Sequence, residues 1–204
     1  MNKSAITKLK NKIELIGDYG KTLIVGVFHG DEPQGKFLIE EYLKNNDTNG
    51  LLFIPCLNPD GMQLKTRTNS NGVDLNRNFP TKNWELTKKN EFFGGMSAGS
   101  EIETKFLMDT INEFKPQLIL TLHAPYKIVN YDGPAREISE KISEIIGYPV
   151  EESIGYPTPG SFGTYAGIER EIPAITLELD EVCPVQDLVK PVFEIFDMLK
   201  KRGL

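Results

Sequence analysis

The 204-residue sequence has little cysteine, little histidine, no long apolar run and no excess of positive charge. Each shortage argues against something. The two cysteines, Cys56 and Cys183, lie beside apolar runs and do not form a C-x-x-C pair, so thiolate metal binding is not expected and two reduced, half-buried thiols are. Lys and Arg number 23 against 29 Asp and Glu, a net charge of −6. A nucleic-acid footprint normally needs a basic face, so no nucleic-acid partner is expected. No segment approaches transmembrane length. The basic N-terminus, MNKSAITKLKNK, is not followed by the apolar stretch of an export signal, which makes the cytoplasm the expected location and a membrane partner unexpected.

What is present suits a globular fold. Hydrophobic residues make up 39% and charged residues 25%, enough to bury a core within one domain over residues 1–204. Strand-like and helix-like segments alternate. Thr22–Phe28 (TLIVGVF), Leu51–Leu57, Gln117–Leu122 (QLILTL) and Pro173–Leu179 (PAITLEL) read as strands buried on both faces. Helices are expected from Pro33 to Lys44, from a Ser100-x-x-Glu103 capping box to Phe114, over Pro134–Ile146 and over Pro184–Lys201. Asn58-Pro59-Asp60-Gly61 reads as a turn, and the polar, Asn- and Gly-rich stretch from Met62 to Gly99 as a functional loop. The pattern predicts an α/β domain with a mostly parallel, mixed sheet flanked by helices. Ligands of such sheets bind beyond the carboxyl ends of the strands.

The sequence places its rarest chemistry at those ends. His29 and Glu32 form H-x-x-E between a strand and a helix, and His123, the only other histidine, follows a second strand. Two imidazoles and a carboxylate suit zinc and leave a coordination position open for hydrolysis. H-x-x-E alone is weak, since His29 could equally be a capping or core histidine. Two further segments strengthen the reading. The loop RTNSNGVDLNRNFP carries Arg67 and Arg77, side chains suited to gripping a carboxylate or stabilising an oxyanion. Glu178 interrupts the apolar strand ITLEL, and a buried lone carboxylate should be paired or functional.

HGDE, NPDG, R-x-N-x-N-G-V-D-L-N-R-N-F-P, LHAP and TLELD occur in that order between Thr22 and Glu181. In this the chain resembles the zinc metallocarboxypeptidase family. The long Asn-Arg motif is the most specific element. The resemblance implies one zinc ion on His29, Glu32 and His123, with Arg67 polarising the scissile carbonyl and Glu178 as the catalytic glutamate. It implies that Asn76 and Arg77 grip the terminal carboxylate, and that a mobile tyrosine, matched to Tyr165 in GSFGTYAGIE, covers the substrate. GVDLNRNFP, VNYDGP and PTPGSFGTYAGIE resemble the compact bacterial branch, the murein tripeptide amidases, which cleave γ-D-Glu–meso-diaminopimelate bonds in wall-derived peptides. That branch often has LELP where this chain has Leu177-Glu178-Leu179-Asp180, so Asp180 is either a surface charge or a recognition group. Two other readings stay open here: an N-acyl amino acid deacylase of the aspartoacylase or succinylglutamate desuccinylase type, and an inactive module that keeps the peptide pocket. The sequence hides the oligomeric state; a homodimer is the one assembly the resemblance suggests.

Overall fold

The computed structural model describes residues 3–152 and 155–203. An N-terminal hairpin, β1 (Ser4–Ile6) with β2 (Lys12–Glu14), precedes a six-stranded sheet. That sheet contains β3 (Gly20–Gly26), β4 (Gly50–Ile54), β5 (Leu118–His123), β6 (Ile128–Asp132), β7 (Val150–Glu151) and β8 (Ala174–Glu178) in the order β4-β3-β5-β8-β6-β7. The β4-β3-β5-β8 core is parallel, whereas β6 runs antiparallel to β8. The mostly parallel, mixed sheet expected from the sequence is therefore present.

The near-continuous apolar strands have a simple cause: both faces of the sheet are covered. Ile24, Phe53, Leu120 and Leu177 face one apolar cluster with α1 (Gln34–Asn45), α4 (Arg136–Ile146) and α5 (Val189–Gly203). Leu23, Val25, Leu52 and Ile119 face a second, with Phe106, Leu107 and Ile111 of α3 (Ile102–Phe114) and the aromatics Phe28, Phe79 and Phe162. The second cluster lies directly beneath the loops at the strand ends.

Several local expectations need correction. NPDG is more than a turn: Asn58 caps a short helix, α2 (Pro59–Leu64), by accepting from the Gly61 N–H at 2.9 Å. The capping box does not form. Glu101 is the N-cap of α3, Ser100 Oγ donates to Glu101 Oε1 at 2.6 Å, and Glu103 accepts from Asn69 at 3.2 Å. The α5 helix begins only after a 3₁₀ turn at Val185–Leu188. Both cysteines are free, with Cys56 buried and Cys183 half-buried. No helix of the described residues is long and apolar enough to cross a membrane.

The long loop is irregular but pinned. Asn69 Oδ1 accepts from the N–H groups of Asn71 and Val73, and its amide donates to Glu101 at 2.8 Å. Asn78 Nδ2 donates to the Gly94 carbonyl at 2.7 Å. The asparagines therefore supply the hydrogen bonds that regular structure would otherwise supply. Gly30 lets the loop after β3 approach α2: a Cβ there would lie 1.9 Å from the Gly61 carbonyl carbon.

Asp60 fastens the hairpin to this arrangement. Its buried carboxylate accepts from Leu9 N at 3.0 Å, Asn11 Nδ2 at 2.9 Å and Ser70 Oγ at 2.6 Å, and also from Thr7 Oγ1. Burial favours the protonated acid, but these donors outweigh it and hold the Asp60 carboxyl below its ordinary value. A depressed folded value stabilises above the unfolded pKa, and that stabilisation is lost as pH falls through the folded one. Asp60→Asn puts a donor where acceptors are required, so a loss of about 2 kcal/mol is expected at neutral pH. In urea denaturation the gap between wild type and variant should narrow below about pH 4; a pH-independent gap would refute the assignment.

Candidate metal centre and substrate cleft

Three neighbouring parallel strands deliver the site. β3 ends at Gly26, and the chain then turns through Val27, a buried β-branched residue with φ +56°. Such a conformation costs about 1–3 kcal/mol and persists only where its surroundings hold it. Here the Val27 carbonyl accepts from Asn58 N at 2.9 Å, and the turn presents His29 at the carboxyl edge. Glu32 follows on the approach to α1. His123 is the last residue of β5, and the β5–β8 register sets it directly beside Glu178, the last residue of β8. Paired residues share one face of a sheet.

His29, Glu32 and His123 each offer a ligand atom, all within 4.8 Å of one another. His29 Nδ1 lies 2.7 Å from Glu32 Oε1, and His123 Nδ1 lies 3.1 Å from Glu32 Oε2 and 3.3 Å from His29 Nδ1. Burial opposes a charged His29, yet Glu32 and Asp74 outweigh it and lift its pKa to about 9. Burial likewise opposes a charged Glu32, and the two histidines overcome it, so that carboxyl stays far below the usual range. Two Nδ1 atoms and a carboxylate converging on one point fit a tetrahedral zinc site with a position to spare.

Asp74 orients this set. Its carboxylate is completely buried, meets His29 Nε2 at 3.3 Å with Oδ1, and accepts from Arg67 Nε at 3.0 Å with Oδ2. It also accepts from Asn76 N at 2.8 Å. Burial favours a neutral Asp74, but His29, Arg67 and Arg77 outweigh it and keep it ionised. The sequence analysis gave Asp74 no role, although it sits inside the Asn-Arg motif. Only the fold shows that it links His29 to Arg67.

A cleft of about 570 Å³ opens over the triad. Arg67, Asn76, Arg77 and Glu178 all line it, together with Phe92, Tyr126 and Tyr156. The Arg67 guanidinium lies over the Phe92 ring, 5.2 Å from its centroid. Asn76 Oδ1 accepts from Phe162 N at 2.8 Å, which leaves its amide nitrogen as the free donor. Arg77 Nη1 donates to the Asn76 carbonyl at 2.7 Å. Glu178 is 7% exposed, and its Oε2 has no partner among the described residues. Burial, reinforced by Glu32, raises the Glu178 pKa against the pull of His123.

Tyr165 is not in the cleft, and the expectation placed on it is corrected. The helical turn Thr164–Ile168 directs its ring into the second apolar cluster, 5.2 Å from Phe79 and beneath the Arg170 guanidinium at 3.4 Å. The tyrosine that does reach the cleft from the same Gly/Pro-rich loop is Tyr156, which is exposed and neighbours Arg77. An exposed aromatic in a polar, proline-punctuated loop was the available signal. Asp180 is not among the cleft residues either; it pairs with Lys127 at 3.0 Å and caps the following turn through Val182 N at 2.8 Å.

The model of the zinc carboxypeptidases matches residues 22–179. The chain belongs to the zinc carboxypeptidase family. Among curated relatives it is 33% identical over 157 residues to murein peptide amidase A of Escherichia coli, which covers 71% of this chain and 64% of that enzyme. It is 32% identical over 181 residues to murein peptide amidase A of Vibrio campbellii, covering 78% and 69%. The solved murein-tripeptide amidase MpaA of Escherichia coli O157 superposes with a TM-score of 0.85 at 27% identity, over 96% of this chain and 89% of that one. Carboxypeptidase A of Helicoverpa armigera shares the fold at a TM-score of 0.75 and 16% identity.

In zinc carboxypeptidases as elsewhere, a carboxylate behind a histidine ligand fixes the ring and raises its basicity. Asp74→Asn should weaken zinc binding about 10–100-fold, read by competition with a chromophoric chelator. Unchanged affinity would remove Asp74 from the metal's support.

Proposed function

We propose that this chain is a zinc-dependent hydrolase that removes the C-terminal residue of peptidoglycan-derived peptides, with the γ-D-glutamyl–meso-diaminopimelate amide as its bond. One observation carries the reading. Two arginines and a free asparagine amide share a cleft with the metal triad and a buried carboxylate that has one unpartnered oxygen. A hydrolytic site alone would need the triad and Glu178. The added Asn76–Arg77 pair suits a substrate that ends in a carboxylate. The names of the amidase relatives support the class of peptide. Zinc is the group that the triad would hold, as a single ion.

Zinc bound there supplies Lewis acidity and makes a water acidic near neutral pH. The chain's own residues do the rest. Glu178 takes the proton from the attacking water and returns it to the departing amine. Arg67, held at its far edge by Asp74 and stacked on Phe92, donates to the carbonyl oxygen as negative charge develops there. Asn76 and Arg77 hold the terminal carboxylate, so that cleavage occurs one bond from the end. Tyr156, beside Arg77, covers that carboxylate; this is the part first expected of Tyr165.

The base must be ionised to act. Because burial raises its pKa, kcat/KM should fall on the acid side at a pH above the ordinary carboxylate range. Glu178→Gln should lower kcat by about 10²–10⁴-fold with zinc content unchanged. The substrate is tested by incubating the zinc-loaded protein with L-Ala-γ-D-Glu-meso-diaminopimelate, N-acetyl-aspartate and N-succinyl-glutamate, with products read by mass spectrometry. Release of free diaminopimelate from the first alone is expected. Hydrolysis of the acylated amino acids in its place would establish the deacylase reading.

A further inference from the structure

The connection from β5 to β6 passes over the proposed base. β8 lies between those two strands in the sheet, and Glu178 at its end pairs with His123 on one side and with Ile128 on the other. Residues 124–127 therefore arch over the carboxyl end of β8. The backbone of this arch is committed at two points. Ala124 N donates to Glu32 Oε2 at 3.2 Å. The Tyr126 N–H faces Glu178 and draws its carboxyl pKa down, as a donor to the ionised form does. Four residues thus reach both a proposed metal ligand and the proposed base. The near foot of the arch is firm, because Leu179 N donates to the His123 carbonyl at 2.7 Å.

The far foot is Lys127. Its φ of +57° reverses the chain into the antiparallel β6 strand, a left-handed conformation that a non-glycine residue seldom holds without support. The support comes from Asp180, two residues past Glu178. Lys127 Nζ meets Asp180 Oδ2 at 3.0 Å, the one ion pair between these two segments among the described residues. Asp180 Oδ1 accepts from Val182 N at 2.8 Å and from Cys183 N at 3.3 Å. Closing that turn needs only an oxygen, which asparagine would also supply. The negative charge of Asp180 is what the turn leaves unexplained, and Lys127 accounts for it.

We propose that Lys127 and Asp180 are positioning residues, whose ion pair fixes the arch so that the Tyr126 N–H orients Glu178 while Glu178 Oε2 stays free for water. The inference rests on the hydrolase reading above, in which Glu178 is the base. Neither Lys127 nor Asp180 lines the cleft, so the pair acts through Glu178 and bears on turnover more than on binding. The Lys127 side chain is 54% exposed and that of Asp180 17%. A pair of this kind contributes modestly and is screened by salt.

The test compares Lys127→Met, Lys127→Arg, Asp180→Asn and the Lys127→Met/Asp180→Asn double variant, each as the zinc-loaded full chain with L-Ala-γ-D-Glu-meso-diaminopimelate. Methionine keeps an unbranched stem, arginine keeps the charge, and asparagine keeps an oxygen for Val182 N. At low salt, Lys127→Met and Asp180→Asn should each lower kcat about 2–5-fold with KM nearly unchanged. Lys127→Arg should retain the wild-type kcat. The double variant should be no slower than either single one, because both remove the same interaction. The deficit should shrink in about 1 M sodium chloride, where the wild-type pair is screened. Wild-type kcat in both neutral variants, losses that multiply in the double variant, or an equal loss in Lys127→Arg overturns the inference and leaves the hydrolase reading intact. A wild type that does not cleave the peptide overturns both.

Discussion

The site depends on one buried carboxylate held from several sides. Asp74 has no access to water, yet it stays ionised because His29 meets one oxygen and Arg67 the other, with Asn76 N adding a hydrogen bond. Taking one partner from such a pair leaves an uncompensated buried charge, at a cost of about 3–5 kcal/mol. The metal side and the substrate side are therefore one electrostatic unit. His29 cannot be repositioned without disturbing Arg67, and Arg67 cannot swing freely toward solvent without exposing the charge of Asp74. This coupling explains why the loop is rich in asparagine. A loop that must hold Asp74 to within a few tenths of an ångström needs its backbone groups satisfied, and Asn69 and Asn78 do that.

The sheet contributes a different kind of precision. His123 and Glu178 are register partners on adjacent parallel strands, so the distance between them is set by strand spacing, not by loop conformation. His29 needs more help. It lies beyond the end of β3, and the strained Val27 turn and the close contact between Gly30 and Gly61 bring it back over the sheet. That strain is located where the chain must leave a strand abruptly and still present a ligand at a defined angle.

These differences account for what the sequence made legible. Strands buried on both faces announce themselves as apolar runs, and β3, β4, β5 and β8 all fall within a few residues of their expected spans. His29, Glu32 and His123 do converge, and Glu178 does stand beside His123, as rare or costly residues near strand ends led one to expect. Arg67, Asn76 and Arg77 were readable through their motif, and the cleft does gather them. What failed was local chemistry decided by tertiary contacts. The apparent capping box at Ser100 dissolved because Glu103 is drawn to Asn69. The β1–β2 hairpin is too short and polar to carry a pattern, and Asp60 secures it from α2. Tyr165 and Tyr156 lie nine positions apart in one Gly/Pro-rich stretch, and sequence offered no rule for which ring turns inward. The π-helical turn and the Phe28–Phe79–Phe162 cluster decide it by taking Tyr165 into the core.

The antiparallel β6 strand differs from the parallel part of the sheet in what its two faces carry. In the parallel part of the sheet both faces are committed mainly to apolar layers, with Thr121 and Thr176 paired side by side within them. β6 lies beyond β8, outside that part. Its inward residues, Val129 and Tyr131, complete the apolar layer, while Asn130 and Asp132 lie on the other face, where Gly163 and Gly167 pack against Asp132. Because its partner β8 ends in Glu178, Asn130 and Asp132 on that face of β6 lie on a line that starts at that carboxylate. The apolar layers of the parallel strands and the polar face of β6 thus meet at β8.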